Sequence, residues 1–247
     1  MIFLQNIALT IQFDGSNYHG WQWQDNALSV QQVLSNAIFK ITGEVPNIIG
    51  CSRTDSGVHA LEFVCNFFSN TTVPMDKLHL ALNTKLPRDI RAVNCTVTDD
   101  TFHARYSAKN KTYIYKAYNT RIANPFLTRY AYHFPFEIDF DNILRATSFF
   151  VGEYDFSTFM ATGGSQKTTV REVYSLSATK KNNNIEFEIT ANAYLYNMVR
   201  IISGTLLYVG CGRIKPDDIP EIVLSKNRNM AGITAGAEGL YLKKVDY

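Results

Sequence analysis

The sequence contains few cysteines, and they form no recognisable motif. Cys51, Cys65, Cys95 and Cys211 include no Cys-x-x-Cys pair, and none has a histidine at metal-ligand spacing. The five histidines are equally dispersed along the chain. Scattered cysteines of this kind are typical of small buried side chains in a reducing compartment. The spacing therefore favours neither a disulfide framework nor a metal enzyme.

Long hydrophobic runs are also missing. No apolar stretch reaches the roughly 18 residues that a membrane-spanning helix needs, although hydrophobic residues make up 46% of the chain. The first six residues lack a basic region and a small-residue cleavage site, so we expect no signal peptide. These absences predict a cytoplasmic protein without a membrane partner. A length of 247 residues allows one large domain or two small ones.

One segment lacks acidic residues altogether. Residues 101–136 contain no Asp or Glu, whereas the whole chain has a net charge of only +2. Arginines and lysines in this segment alternate with many phenylalanines and tyrosines. Because cations bind phosphates and aromatic rings stack on bases, the pattern suits an RNA-binding surface. A pair of aromatic-rich strands with a solvated basic edge would produce the same pattern.

The most informative residues of the chain lie in a short loop around Asp55. This carboxylate stands two residues after Arg53 and two before Gly57, and an apolar, strand-like run follows at residues 58–68. A nearby fixed positive charge and a flexible backbone keep a nucleophile ionised and exposed. Asp-Ser-Gly is also ordinary turn chemistry, in which Asp supplies side-chain hydrogen bonds and Gly a positive φ.

Hydrophobic periodicity indicates helices and strands in both halves. Alternation predicts strands at residues 7–13 and 112–118, and Ser29 with Gln32 predicts a capping box for a helix at residues 30–41. Residues 198–209 form an apolar helix pattern. Helices are not regularly interposed between strands, which favours an α+β fold. We expect two α+β halves, residues 1–105 with the Asp55 loop and residues 106–247.

Many short motifs, in order along nearly the whole chain, resemble the TruA family of tRNA pseudouridine synthases. One such motif would be weak, but this many in the same order is specific. The matching segments are residues 13–22, 53–60, 82–90, 102–105, 107–108, 111–115, 152–156, 170–171, 197–200 and 239–240.

The resemblance implies a fold, a reaction and partners. The fold is the pseudouridine synthase fold, with two similar halves, a continuous, mainly antiparallel sheet, flanking helices and a central RNA-binding cleft. The reaction is isomerisation of uridine to pseudouridine at positions 38, 39 and 40 of the tRNA anticodon stem-loop. The implied partners are tRNA and a second copy of the chain, as a homodimer. No metal and no organic cofactor are implied.

The resemblance also assigns roles to single residues. Asp55 is the expected catalytic nucleophile, and its carboxylate attacks C1′ or C6, or takes a proton from C2′. Arg53 is expected to pair with Asp55 and to hold the flipped nucleotide, and Tyr113 to stack on the target base. Arg200 and Leu240 complete the substrate-binding set, although a structural salt bridge explains Arg200 equally well. The expected RNA-binding cations are Arg105, Lys109 and Lys111.

Two other functional classes remain open at the level of sequence. A non-catalytic RNA-binding module needs the basic aromatic segment but not Asp55. A glycosidase or nucleosidase needs a second carboxylate about 5 Å from the first if it retains configuration. The only acid close to Asp55 that follows it in sequence is Glu62, inside the apolar strand.

Overall fold

The structure, a computed structural model, describes residues 4–164 and 167–247. The chain divides into two compact units, one formed by Met1–Lys109 with Leu242–Tyr247 and the other by Asn110–Tyr241. The unit boundary thus falls between Lys109 and Asn110, and the end of the chain joins the first unit. The N-terminal segment examined for a signal peptide includes Met1–Phe3, which lie outside the described residues.

The described residues form ten β-strands and five α-helices, with short 3₁₀ turns between them. In chain order they are β1 (Gln5–Phe13), α1 (Val30–Thr42), β2 (Ile49–Gly50), β3 (His59–Ser69), α2 (Met75–Asn83), β4 (Ile90–Thr98), β5 (Asn110–Tyr118), β6 (Tyr132–His133), α3 (Phe140–Thr147), β7 (Gly152–Asp155), β8 (Val170–Lys181), β9 (Asn184–Ala191), α4 (Met198–Gly210), α5 (Ile219–Leu224) and β10 (Leu240–Asp246).

The first unit is built on an antiparallel sheet with β1 at its centre. β1 pairs with β3 on one side and with β4 on the other, so that Leu9 lies opposite both Cys65 and Cys95. Alternate residues of β1, including Leu9, are fully buried, as the sequence pattern predicts. The cysteines are free thiols, and burial raises the pKa of Cys65 well above its ordinary value. Cys51, Cys65 and Cys95 serve as small apolar side chains of this core, whereas the half-buried Cys211 belongs to the second unit.

Helix α1 begins at the predicted residue, Val30, and ends at Thr42, one residue beyond the predicted end. The Ser29 hydroxyl accepts a hydrogen bond from the backbone N–H of Gln32, and Gly43 ends the helix with a φ of 75°. A left-handed residue after the last turn is the usual role of glycine at a helix C-terminus. The buried face, which includes Leu34 and Ile38, packs into the core of the first unit.

The second unit also combines an antiparallel sheet with helices. Its strands follow the order β5-β9-β8-β7, and the short β6 runs parallel to β5. In the β5–β9 pair, Tyr113 faces Ile189 and Tyr115 faces Phe187. Helix α4 is buried along almost its whole length, as expected of a helix that is apolar on all sides. The predicted α+β class and mainly antiparallel pairing are confirmed.

Candidate active site

The loop that carries Asp55 connects β2 to β3 through a tight turn. The N–H of Val58 donates to the carbonyl of Asp55 at 3.2 Å, and Gly57 has a φ of 80°. A glycine with positive φ at the third position is the requirement of a type II turn. The turn interpretation of Asp-Ser-Gly is therefore correct for the backbone. It also presents the half-buried Asp55 at the first position of the turn.

A second loop, residues 14–22, holds the Asp55 loop in place by hydrogen bonds. The carbonyl of Tyr18 accepts from the N–H of Gly57 at 3.2 Å and from the hydroxyl of Ser56 at 3.3 Å. The N–H of Trp21 donates to the carbonyl of Thr54 at 3.2 Å. These three bonds reach the residues on both sides of Asp55, so its backbone position is fixed by the neighbouring loop.

The supporting loop is itself anchored to Asp89, just before β4. The Tyr18 hydroxyl donates to Asp89 Oδ1 at 2.7 Å, and Asn17 Nδ2 donates to Oδ2 at 3.2 Å. The backbone N–H of Asp14 donates to the Asp89 carbonyl. Burial and the Asp89 carboxylate raise the pKa of Tyr18 far above its ordinary value, so the hydroxyl stays protonated and keeps donating.

His59 joins the supporting loop to the start of β3. Its Nδ1 lies 3.1 Å from the backbone nitrogen of Gly15 and 3.2 Å from Asp14 Oδ1. Asp14 Oδ1 also accepts from the N–H and the hydroxyl of Ser16. His59 is buried. Its contacts hold the loop of residues 14–22 against the start of β3.

Arg53 lies in the Asp55 loop with an exposed side chain. The expected pairing of its guanidinium with Asp55 stays a prediction. An exposed ion pair gains little over two separately hydrated charges. The exposed guanidinium can therefore meet an incoming anion.

Tyr113 and Tyr115 lie on the same face of β5 but have different surroundings. The Tyr115 hydroxyl donates to the carbonyl of Gly236 at 2.8 Å, and its ring is fully buried. Tyr113 is also buried, and its ring meets the edge of Tyr194 with 4.9 Å between centroids. The hydroxyl of Tyr115 is thus hydrogen-bonded to a backbone carbonyl of the second unit.

Arg200 and Leu240 also lie in the second unit. Arg200 is in the first turn of α4, where its Nε donates to the carbonyl of Ala235 at 2.8 Å and its Nη1 to Asn197 Oδ1 at 2.7 Å. Asn197 has a φ of 61°, a conformation that Asn tolerates better than most residues. Leu240 begins β10 and is buried.

The three expected RNA-binding cations differ in their contacts. Arg105 is exposed and lies 5.9 Å from the ring centre of Tyr106, which is itself 78% exposed. Lys109 donates from Nζ to the backbone oxygen of Tyr247 at 3.0 Å. Lys111 is half-buried in β5. Arg105 thus presents a cation beside an exposed ring, whereas the Lys109 ammonium is hydrogen-bonded to the last residue, Tyr247.

The described structure groups the expected site residues by unit. Arg53 and Asp55 share one loop of the first unit, and Tyr113, Arg200 and Leu240 belong to the second. Sequence reasoning did not identify the Tyr18–Asp89 bond, because its partners are 71 residues apart. Both residues do lie in segments that carry the family resemblance, which is the only signal that points to them.

The described residues meet neither the requirements of a metal site nor those of a membrane-spanning helix. Across them, no group of three or more His, Cys, Asp or Glu side chains is arranged to hold a metal ion. Within the same residues, no helix has the length and apolarity that a membrane crossing requires.

Comparison with known proteins decides the family. A family model described as tRNA pseudouridine synthase matches residues 9–107 and 146–247. The chain belongs to the tRNA pseudouridine synthase family. It is 49% identical to the tRNA pseudouridine synthase A of Thermoanaerobacter sp. (strain X514), over 99% of this chain and 100% of that protein. The corresponding protein of Acetivibrio thermocellus is 47% identical over the same shares of both chains.

Family membership confirms the predicted pseudouridine synthase fold and the prediction of an isomerase that acts on tRNA uridine. Among solved structures, an H/ACA RNP bound to a substrate RNA containing 2′-deoxyuridine is 15% identical, with a TM-score of 0.40, over 82% of this chain and 44% of that chain. A match of this size does not by itself assign a fold.

Proposed function

We propose that this enzyme converts uridines 38, 39 and 40 of the tRNA anticodon stem-loop to pseudouridine, with Asp55 as the nucleophile. The observation that carries the assignment of Asp55 is its loop. The turn presents the carboxylate, and hydrogen bonds from residues 14–22 fix the backbone on both sides of it. A fixed position is what a catalytic group requires, because small displacements from the reactive geometry are costly.

The reaction rearranges one nucleotide without consuming a second substrate. The C1′–N1 bond breaks, the base turns, a C1′–C5 bond forms, and the proton lost from C5 is balanced by one gained at N1. The target base must first leave the helical stack, as in other enzymes that act on a base. The Asp55 carboxylate then attacks C1′ or C6, or removes a proton from C2′.

The remaining site residues bind the flipped nucleotide. The exposed guanidinium of Arg53 is suited to a phosphate, and Tyr113 to stacking on the base with its hydroxyl near C5. Arg200 and Leu240 are proposed to complete the pocket. The family resemblance selects Tyr113 as the reactive tyrosine, and the Tyr115 hydroxyl donates to the carbonyl of Gly236. Arg105, Lys109 and Lys111 are proposed to contact the RNA backbone.

Replacing Asp55 by Asn tests the assignment. We expect turnover below detection, measured as tritium release from C5-labelled uridine in tRNA, with tRNA affinity within a few-fold of wild type. Glu62→Gln is the matched control, because Glu62 is the second acid that a glycosidase would need. It should keep wild-type turnover. Release of free uracil, or loss of activity in Glu62→Gln alone, would contradict the proposal.

We also propose that the enzyme is a cytoplasmic homodimer, and that the loop around Phe126 contributes to its interface. Ile122 is 80% exposed and Phe126 is 87% exposed. The loop is nevertheless ordered by its own bonds, since Asn124 Oδ1 accepts from the N–H of Phe126, and Tyr118 accepts from the N–H of Asn124. Large apolar side chains held outward on an ordered loop are typical of interaction surfaces.

Sedimentation velocity without RNA tests this surface. Wild type should sediment as a dimer, and the Ile122→Asp, Phe126→Asp double variant as a monomer, because a buried charge without a partner opposes association. Leu80→Asp is the control, since Leu80 is 58% exposed on helix α2 in the other unit. A double variant that remains dimeric would place the interface elsewhere.

A further inference from the structure

A cavity in the first unit has no role in the function described so far. It lies between helix α1, the residues that follow Trp21, and the connection from α1 to β2. Its volume is about 440 Å³, within the usual range for small-ligand pockets. The side chains that matter for what it binds are Trp23, Ser35, Asn36, Phe39 and Asn47.

The walls of the cavity are held together by Gln31 of α1. Gln31 Oε1 accepts from the backbone N–H of Trp23 at 2.8 Å, and its Nε2 donates to the carbonyl of Ile48 at 2.9 Å. One side chain thus connects the helix to both of the other segments. The cavity is preformed, which lowers the entropic cost of binding.

Two aromatic rings line the cavity and remain partly open to solvent. Trp23 is 43% exposed and Phe39 is 50% exposed. Trp21, two residues before Trp23, is instead buried and stacks on Phe63 with 4.1 Å between ring centroids. An open indole beside an open phenyl ring offers flat apolar faces to a planar ligand.

Polar groups of the cavity lack protein partners. Ser35 is only 8% exposed, yet within the described chain its hydroxyl makes no hydrogen bond. The side-chain amides of Asn36 and Asn47 likewise form none with described residues, so each retains two donors and an acceptor. Asn36 and Asn47 are exposed, so their amides are accessible to an incoming ligand.

The lining carries no charge. Each described residue that lines the cavity has an uncharged side chain. A phosphate or another ionised group would be desolvated there without a counter-ion. The ligand that fits is planar, aromatic and neutral, with donors and acceptors along its edge. This combination describes a nucleobase.

We propose that this cavity binds one unstacked nucleobase of the tRNA substrate, which stacks on Trp23 and pairs its edge with Ser35, Asn36 and Asn47. The proposal rests on the proposed tRNA substrate. An apolar side chain from a second copy of the chain fits less well, because it would cover the three polar groups without bonding to them. The cavity adjoins the loop that supports Asp55, since Trp21 bonds to Thr54.

Trp23→Ala tests the proposal through binding of an unmodified tRNA transcript. Loss of one stacked base should weaken affinity by roughly 5- to 140-fold, which is 1–3 kcal/mol converted at 1.4 kcal/mol per factor of ten. KM should rise by a similar factor, while kcat at saturating tRNA stays unchanged. Trp23→Phe should recover most of the affinity, Ser35→Ala should lose part of it, and Leu80→Ala should match wild type.

Intrinsic fluorescence supplies an independent measurement. Stacking of a base on the Trp23 indole should quench emission during a tRNA titration, and the quenching should disappear in Trp23→Phe. Unchanged affinity in Trp23→Ala, or unchanged quenching in Trp23→Phe, would overturn the proposal. So would a change of sedimentation in RNA-free Trp23→Ala, or quenching by UMP alone but not by tRNA. Failure of the proposed function is distinguishable, because wild type would then leave uridines 38, 39 and 40 unconverted.

Discussion

Two tyrosines, Tyr113 and Tyr115, lie on one face of β5 and are assigned different roles in the proposed function. Tyr113 and Tyr115 point in the same direction because side chains alternate along a strand with a period of two. The hydroxyl of Tyr115 is bonded to the carbonyl of Gly236. Periodicity alone leaves the choice between the two open, and the family resemblance selects Tyr113.

Tyr113→Phe and Tyr113→Ala separate stacking from proton transfer. Phe keeps the ring and removes the hydroxyl, so turnover should fall by roughly 10²-fold or more if the hydroxyl moves a proton. Affinity for tRNA should change little. Ala also removes the stacking surface, so affinity should fall by about 1–3 kcal/mol. Single-turnover kinetics and a binding titration measure the two effects.

Tyr115→Phe is the matched control in the same strand. It removes the donor to the half-buried Gly236, so the free energy of unfolding should fall by about 0.5–1.5 kcal/mol. Turnover of the folded enzyme should stay at the wild-type level. If Tyr113→Phe behaves like wild type while Tyr113→Ala does not, Tyr113 serves only as a stacking surface.

Among the structural elements, the loop of residues 14–22 lies close to the Asp55 loop because Gly20 has no side chain. Gly20 has a φ of 82°, and a Cβ at this position would lie 2.3 Å from the carbonyl oxygen of Thr54. No side chain fits between the two loops. The hydrogen bond from Trp21 to the same carbonyl depends on this approach.

Gly20→Ala should therefore affect both stability and catalysis. The left-handed conformation costs an alanine about 1–2 kcal/mol, and the clash adds to this by displacing the Thr54 carbonyl. Because a 1 Å displacement of a catalytic group can cost roughly 10²-fold, turnover should fall by a similar factor. Chemical denaturation and kcat measure the two effects.

Gly43→Ala is the control for backbone strain without a clash. Gly43 has a φ of 75°, and nothing lies within 4 Å of the position of its added Cβ. We expect the conformational cost alone, about 1–2 kcal/mol, with wild-type kcat. Equal kcat in the two variants would show that the contact between the loops does not position Asp55.

Sequence patterns predict those elements whose signals are local. Helix α1 follows from its cap residues and apolar face, and α4 from a continuous apolar run. Strand β8 was expected only as a short motif, because its outward residues face solvent and its apolar alternation is weak. The short parallel β6 depends on its pairing with β5, which no local pattern encodes.

In the candidate site, too, the sequence predicts the features with local signals and not the contacts between distant segments. Asp55 and Gly57 are recognisable because the turn chemistry and the charge of Arg53 lie within a few residues of each other. The Tyr18–Asp89 bond that anchors the supporting loop joins distant segments and needs the folded chain. The expected Arg53–Asp55 pairing stays a prediction, because closeness in sequence does not determine where two side chains point.

For the whole molecule, RNA affinity has to come from local charge. The net charge is only +2, so overall attraction to a polyanion is weak. If Arg105 and Lys111 contact phosphates, Arg105→Ala with Lys111→Ala should flatten the log–log dependence of affinity on salt by about 0.7–0.9 per contact. Filter binding of tRNA over a salt series measures the slope.

Lys180→Ala is the control for this slope, because Lys180 is an exposed cation outside residues 101–136. Its slope should match that of wild type. An unchanged slope in the double variant would mean that Arg105 and Lys111 form a solvated edge. Lys109 is less suitable for the test, because its replacement also removes a bond to Tyr247.

The first unit is assembled from two separate stretches of chain, since Leu242–Tyr247 joins Met1–Lys109. On the ribosome, these stretches emerge at different times. At 5–20 residues per second, the intervening second unit delays the last strand by on the order of ten seconds. Until then the nascent first unit lacks one strand of its sheet. The second unit is continuous in sequence but ends at Tyr241, directly before Leu242, so both units receive their last residues at nearly the same time.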